Sequence, residues 1–191
     1  NLLKGKKGII FGALNDMSIA WKVAEQAVAQ GAEIVLTNAP IAMRMGTINE
    51  LAAKCNNCPI IPADATSEED LQKLFEGAMA HFGGKIDFVL HSIGMSPNVR
   101  KGRHSTDINY KFLQTTLDVS AISLHKTLAT AKKLDALNEW GSGLSLTYNA
   151  TQRILPGYGD TADANSLLES TTKNLSSPYG ADPQARNNTS S

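Results

Sequence analysis

Residues 7–20, KGIIFGALNDMSIA, constrain this chain more than any other stretch. An apolar run from Gly8 to Phe11 meets Gly12, a polar turn follows, and Ser18-Ile19-Ala20 open an amphipathic helix. A strand that feeds a tight loop and a helix start can hold a dinucleotide diphosphate. The free N–H groups and the positive dipole end of the helix face the anion. The spacing is not the usual G-x-G-x-x-G. Gly12 supplies the turn, and Ser18, not a third glycine, stands where the helix begins.

The rest of the chain repeats the strand–helix alternation. Strands are expected at Gly8–Phe11, Glu33–Thr37, Pro59–Pro62, Ile86–His91 and Gly143–Tyr148. Ile19, Ala20, Val23, Ala24, Ala27 and Val28 recur with helical period, and Gly31 ends that helix. A second helix is expected over Ala42–Lys54. A third carries the stripe Leu71, Leu74, Phe75, Ala78, Met79, Phe82 behind Thr66-Ser67 and the acids Glu68, Glu69 and Asp70. A long fourth helix runs from about Tyr110 to Lys133, with a stripe able to pack on the sheet and against another subunit. The fold class is α/β: a Rossmann-like, doubly wound parallel sheet in a single dinucleotide-binding domain over residues 1–191. Ligands then belong at the carboxyl ends of the strands, where Gly12 to Ser18, Asp64-Ala65, Ser92-Ile93-Gly94 and Tyr148 fall.

From Asp160 onward the chain turns rich in Ser, Thr, Asn and Ala, and Thr171-Thr172 interrupt a stripe of Leu167, Leu168 and Leu175. Residues 160–191 are therefore expected to be a weakly specified tail. The sheet would lack its last strands, and its fifth predicted strand would show an unpaired edge.

Composition excludes several classes. The 18 basic and 18 acidic residues cancel, so nothing draws the whole molecule to nucleic acid or an anionic membrane. No apolar run approaches the ~20 residues needed to cross a bilayer, and the start NLLKGKKG lacks the long apolar stretch of a signal peptide, so a cytoplasmic location is expected. Cys55 and Cys58 form a C-x-x-C at the end of a helix rather than at its start, without a second Cys/His pair at metal spacing. They read as incidental thiols, and no metal is expected.

Tyr148 and Tyr158 stand ten positions apart in YNATQRILPGY. With KGIIFGALNDMSIAW, PADAT and FVLHSIGMSPN in this order, the chain resembles the bacterial NADH-dependent enoyl-acyl-carrier-protein reductases, a divergent branch of the short-chain dehydrogenase/reductase superfamily. The resemblance runs from Leu2 to about Ser170. It implies that Gly12, Ala13, Ser18 and Ile19 hold the diphosphate of NADH or NAD. It also implies that Asp64 and Ala65 meet the adenine, and that Ser92, Ile93 and Gly94 line the path to the nicotinamide. Tyr148 would flank the acyl pocket, and Tyr158 would hydrogen-bond the thioester oxygen of a trans-2-enoyl substrate on acyl carrier protein. Hydride reaching the β-carbon pushes negative charge onto that oxygen, and a phenol aimed there stabilises charge that develops only in the transition state. A homo-oligomer is implied for the full-length chain.

The family keeps a lysine seven residues after the second tyrosine, and that position is Asn165 here. Asparagine keeps hydrogen-bonding capacity without charge. The competing expectation is thus a truncated, catalytically impaired homologue that only binds a dinucleotide. The Tyr-x-x-x-Lys of alcohol and ketone reductases is absent too, because Ala162 follows Tyr158 by four. The second predicted strand ends Thr37-Asn38-Ala39-Pro40, with neither an acid for a ribose hydroxyl nor a base for a 2′-phosphate, and Arg44 keeps NADPH open. His91 reads as a packed histidine. Arg100, Lys101 and Arg103 are either a solvated loop or a contact for an acidic carrier protein or its phosphopantetheine phosphate.

Overall fold

The computed structural model describes residues 1–180 and 185–190, with side chains through residue 176. Five parallel strands form one sheet in the order β2-β1-β3-β4-β5: β1 Lys7–Phe11, β2 Glu33–Thr37, β3 Ile86–His91, β4 Leu137–Leu146 and β5 Ala185–Ser190. Strand alternation sends side chains to two cores. Ile9 and Phe11 of β1 pack with Val35, Val89 and the stripe Leu71, Leu74, Phe75, Ala78 of α4 (Glu68–Phe82). Ile10 faces the other way, onto Trp21 and Ala24 of α1 (Ile19–Ala29) and Leu51 of α3 (Ile48–Lys54), which follows the short α2 (Pro40–Met45). Helices thus cover both faces. The strand order reverses between β1 and β3, and ligands of such sheets bind at that point.

Four elements differ from the sequence expectation, each for a physical reason. Pro59–Pro62 runs beside β2 but makes only the bridge Leu36–Ile60, because prolines at both ends cannot donate to a ladder. The helix expected over Ala42–Lys54 breaks at Gly46, where a Cβ would lie 2.6 Å from the Leu14 carbonyl oxygen of the loop after β1. Strand β4 starts six residues early and ends before Tyr148. A register shift opposite Ile86–Phe88, with Trp140 at φ +63°, hides its first half from a periodic reading.

The fourth difference is the tail. Residues 159–180 form a 22-residue helix, α8 (Gly159–Gly180), and residues 185–190 pair with β4 in parallel, Gly141 opposite Ala185 through Leu146 opposite Ser190. The edge of β4 is therefore paired, and the expected loss of the strand after it is corrected. Backbone hydrogen bonding forms this strand despite polar side chains. In α8, Thr172 is buried and donates to the Leu168 carbonyl of its own helix, so a residue read as an interruption sits inside the packing.

The expected Tyr110–Lys133 helix is continuous but widens. α6 (Tyr110–Leu117) and α7 (Ser123–Lys133) are joined by a π-helical turn over Asp118–Ile122. Single π turns recur at functional sites, and this one faces the crevice. Among the described residues no helix is long and apolar enough to cross a membrane, and no group of three or more His, Cys, Asp or Glu could hold a metal ion.

Candidate active site

Gly12 follows β1 at φ +90°, and a Cβ there would stand 1.8 Å from the carbonyl oxygen of Ser92, which follows β3. The residue must therefore be glycine for the loops after the two central strands to touch. Its N–H donates to the Thr37 carbonyl (3.1 Å), tying in β2. Ser18 is the N-cap of α1, yet its hydroxyl turns back. It donates to the Asn15 carbonyl (2.6 Å) and accepts from the Leu14 N–H (3.3 Å). The first turn of α1 thus has no side-chain cap and no acidic residue. That arrangement suits a bound anion. Ala13 is fully buried, and its carbonyl accepts from Asn38 Nδ2 (3.0 Å), joining the same loop to the end of β2.

Further along the edge, Asp64 is exposed and its carboxylate is engaged. Oδ1 accepts from the Thr66 N–H (2.9 Å) and the Thr66 hydroxyl (2.8 Å), while the Asp64 N–H donates to Asp70 (2.9 Å). Ala65 is buried against the core below.

The other half of the crevice is a cavity of about 530 Å³. Ser92, Ile93 and Gly94 form one wall, Tyr148, Tyr158 and Asn165 another, and Ile19 of α1 joins it to the first half. The two phenol rings lie 5.9 Å apart at 45°, each about two-fifths exposed. Asn165 donates from Nδ2 to the Thr161 carbonyl one turn back (2.8 Å), so its amide lies along its own helix. Thus Ile19, Ser92, Ile93, Gly94, Tyr148, Tyr158 and Asn165 share one cavity, while Gly12, Ala13, Ser18, Asp64 and Ala65 lie along the crevice outside its lining.

Two buried polar atoms at this edge have no protein partner among the described residues: Thr37 Oγ1 ending β2 and His91 Nδ1 ending β3. Ser123 donates to the Val119 carbonyl (2.7 Å), so it accepts from His91 Nε2 (2.8 Å). Burial pushes the His91 imidazolium down to about pKa 4, and the ring stays neutral at pH 7. The basic cluster is divided. Lys101 Nζ sits 4.7 Å above the Phe112 ring, Arg103 binds the Asp107 carbonyl, and Arg100 lines the cavity.

The sequence reading missed the polar side chains that set this geometry. Ser120, in the π turn, donates to the Met95 carbonyl (3.1 Å) and accepts from its N–H (3.0 Å). Asp160, read as the start of a loose tail, is 3% exposed and accepts from Ser96 and Asn98, with the Thr116 hydroxyl 3.2 Å away. One signal was available: an acid in the first turn of a helix, two residues after a tyrosine.

The model of a family described as enoyl-(acyl carrier protein) reductase matches residues 12–189. The chain belongs to the enoyl-(acyl carrier protein) reductase family. A curated member, the NADH enoyl-acyl-carrier-protein reductase 2 of Rhizobium meliloti, is 33% identical over 94% of this chain and 66% of its own length. The reductase 1 of the same organism is 31% identical over 94% and 64%. The chain therefore spans just under two thirds of these curated relatives. Among solved structures, the FabI–NADH complex of Alistipes finegoldii is 61% identical with a TM-score of 0.96, covering 98% of this chain and 66% of that one. The enzyme of Aquifex aeolicus is 25% identical at a TM-score of 0.89, covering 99% and 73%. Membership in this reductase family accords with the parallel doubly wound sheet and with its crevice at the β1–β3 switch.

Proposed function

We propose that this chain carries the cofactor half and the tyrosine half of an enoyl-thioester reductase site, with NADH as the reductant and an enoyl group on acyl carrier protein as the substrate. The observation that carries this reading is the shared cavity. Tyr148 and Tyr158 face the Ser92–Gly94 turn beside Ile19, the first residue of the uncapped helix α1.

The residues fit a dinucleotide. Gly12 keeps the crevice open where a Cβ would collide with Ser92, and the uncapped first turn of α1 has N–H groups for a diphosphate. Gly12, Ala13, Ser18 and Ile19 would hold it, Asp64 and Ala65 would border the adenine, and Ser92, Ile93 and Gly94 would guide the far end toward Tyr158. When bound, a dihydronicotinamide supplies a hydride. The Tyr158 hydroxyl donates to the thioester oxygen as that oxygen gains charge. Tyr148, stacked obliquely on it, limits the approach of water and shapes the acyl side. Asn165 takes the place from which a lysine would add positive charge, so oxygen stabilisation here rests on hydrogen bonds alone. The uncharged Asn38 at the end of β2 is compatible with a ribose hydroxyl, in keeping with NADH over NADPH. We place the protein in the cytoplasm as a homo-oligomer. Tyr110 and Ile122 remain exposed on the α6–α7 face that would meet a second copy.

The test is oxidation of NADH with a crotonyl thioester, followed by the loss of dihydronicotinamide absorbance, beside NADH binding followed by fluorescence. Turnover is expected, and Tyr158→Phe is expected to lower it by about 10²–10³-fold, the cost of one donor to a developing oxyanion. Binding of NADH without any turnover would replace this reading with that of a dinucleotide-binding homologue.

A further inference from the structure

We propose that Asp160 is a positioning residue: a buried carboxylate that fixes where the Tyr158 phenol stands relative to the Ser92–Ser96 turn. The inference rests on the reductase reading in placing the thioester at Tyr158.

Two donors from one segment, and a hydroxyl from another that donates its own proton to the Phe112 carbonyl (2.8 Å), converge on this side chain. The Ser96 hydroxyl lies 2.8 and 3.0 Å from its two oxygens, Asn98 Nδ2 lies 3.0 Å from Oδ2, and the Thr116 hydroxyl lies 3.2 Å from Oδ2. No ion pair is made by Asp160 among the described residues. A buried anion held by neutral donors is costly unless its lone pairs are filled. Here both oxygens are engaged, and Asp160 lies in the first turn of α8, where the helix dipole favours negative charge.

Each donor is itself fixed. Ser96 caps α5 (Pro97–Arg100) by accepting from the Val99 N–H (3.0 Å). Asn98 clamps Asn109 by accepting from its N–H (3.0 Å) and donating to its carbonyl (3.2 Å). Asp160 therefore joins the cavity wall that ends in α5 to the start of α8 and, through Asn98, to the start of α6. Tyr158 hangs directly on the start of α8, since its carbonyl accepts from the Ala162 N–H (2.9 Å) as that helix begins. Gly159, between them, packs against Ser105, whose Oγ would lie 2.7 Å from a Cβ at 159. Ser96 and Thr161, on either side of the clamp, line the same cavity as Tyr158. An apolar residue at 160 would leave two buried donors, the Ser96 hydroxyl and one Asn98 N–H, without an acceptor. An amide would turn a donor toward one of them.

The experiment labels the tyrosines with carbon-13 at Cζ and compares the protein with Asp160→Ala and Asp160→Asn. The readouts are the Tyr158 resonance, binding of crotonyl-pantetheine, binding of NADH, turnover, and the melting midpoint. Asp160→Ala is expected to shift the Tyr158 resonance and to lower kcat by up to about 100-fold, the effect of misplacing a reacting group by about an ångström. NADH affinity, set at the Gly12–Ile19 loop, is expected to hold. Asp160→Asn should fall between. A folded variant with an unmoved Tyr158 resonance and unchanged thioester binding would overturn the proposal, even with a lower melting midpoint. If Asp160→Ala does not fold, Ser96→Ala removes one donor and is read by the same signals. If the unaltered protein fails to bind crotonyl-pantetheine while Asp160→Ala still moves the Tyr158 resonance, the reductase reading fails and the positioning role stands.

Discussion

The loop after β1 and the start of α8 face one crevice but are held in place differently. The loop is built from backbone: a glycine that allows strand-end loops to touch, a carbonyl from β2, and a helix start without a side-chain cap. The start of α8 is built from side chains, with Asp160, Ser96, Asn98 and Thr116 gathered from positions up to 64 residues apart. Backbone-built sites depend on short contiguous motifs and tolerate change in most side chains. Side-chain clamps depend on a few distant residues and on the whole fold being formed.

The largest effect is expected where the backbone half is attacked. Gly12→Ala puts a Cβ 1.8 Å from the Ser92 carbonyl oxygen at a φ of +90°. Either the β1–β3 contact opens or the loop moves. The expected loss is about 3 kcal/mol or more of stability, with abolished NADH binding, read by denaturant unfolding and fluorescence titration. Retained NADH affinity would show that the crevice does not depend on this contact.

His91 ends β3, the strand that divides the two halves, and its effect is read by pH. Its folded value is depressed to about 4 by burial. The neutral ring therefore contributes stability that is complete above the ordinary value of about 6.5 and is lost as pH falls toward 4. The difference corresponds to about 3 kcal/mol at most. The unfolding midpoint should fall through this window, and His91→Asn should flatten the slope. An unchanged slope would mean that other groups carry the acid lability.

How much of this was legible follows the same division. Gly12, Ser18 and the Ser92–Gly94 turn could be read because their chemistry is local: strand, turn, helix start. Tyr148 and Tyr158 were singled out through the family resemblance, and the fold brings both into one cavity. The helix Gly159–Gly180 was not, because Thr171 and Thr172 dilute its stripe, although Thr172 satisfies its hydroxyl on its own helix and packs inward. Strand β5 was not, because ladder hydrogen bonds rather than side-chain alternation define it. Asp160 was hidden because its donors are assembled only by the fold.

Asn165→Lys sharpens the side-chain half. The amide now lies back on Thr161, and a lysine there would bring a cation into the cavity shared with Tyr158. One charge-assisted hydrogen bond contributes about 1.5–3 kcal/mol, so NADH affinity should rise about 10- to 100-fold. Turnover should rise with it. A rise in affinity with flat turnover would assign the charge to cofactor binding alone.

The smallest effect is expected at Asp64, on the outer end of the backbone half. Its carboxylate is already engaged by the N–H and hydroxyl of Thr66, and its N–H by Asp70. The side chain thus shapes the turn proposed to border the adenine rather than projecting a free charge into the crevice. Asp64→Asn keeps an acceptor for Thr66 and should leave NADH affinity nearly unchanged. Asp64→Ala removes the turn's internal bonds in a solvent-exposed setting, worth about 1 kcal/mol or roughly a fivefold loss of affinity. A loss as large for Asn as for Ala would mean that the negative charge itself contacts the nucleotide. That part of the site would then resemble the α8 end in relying on a side chain.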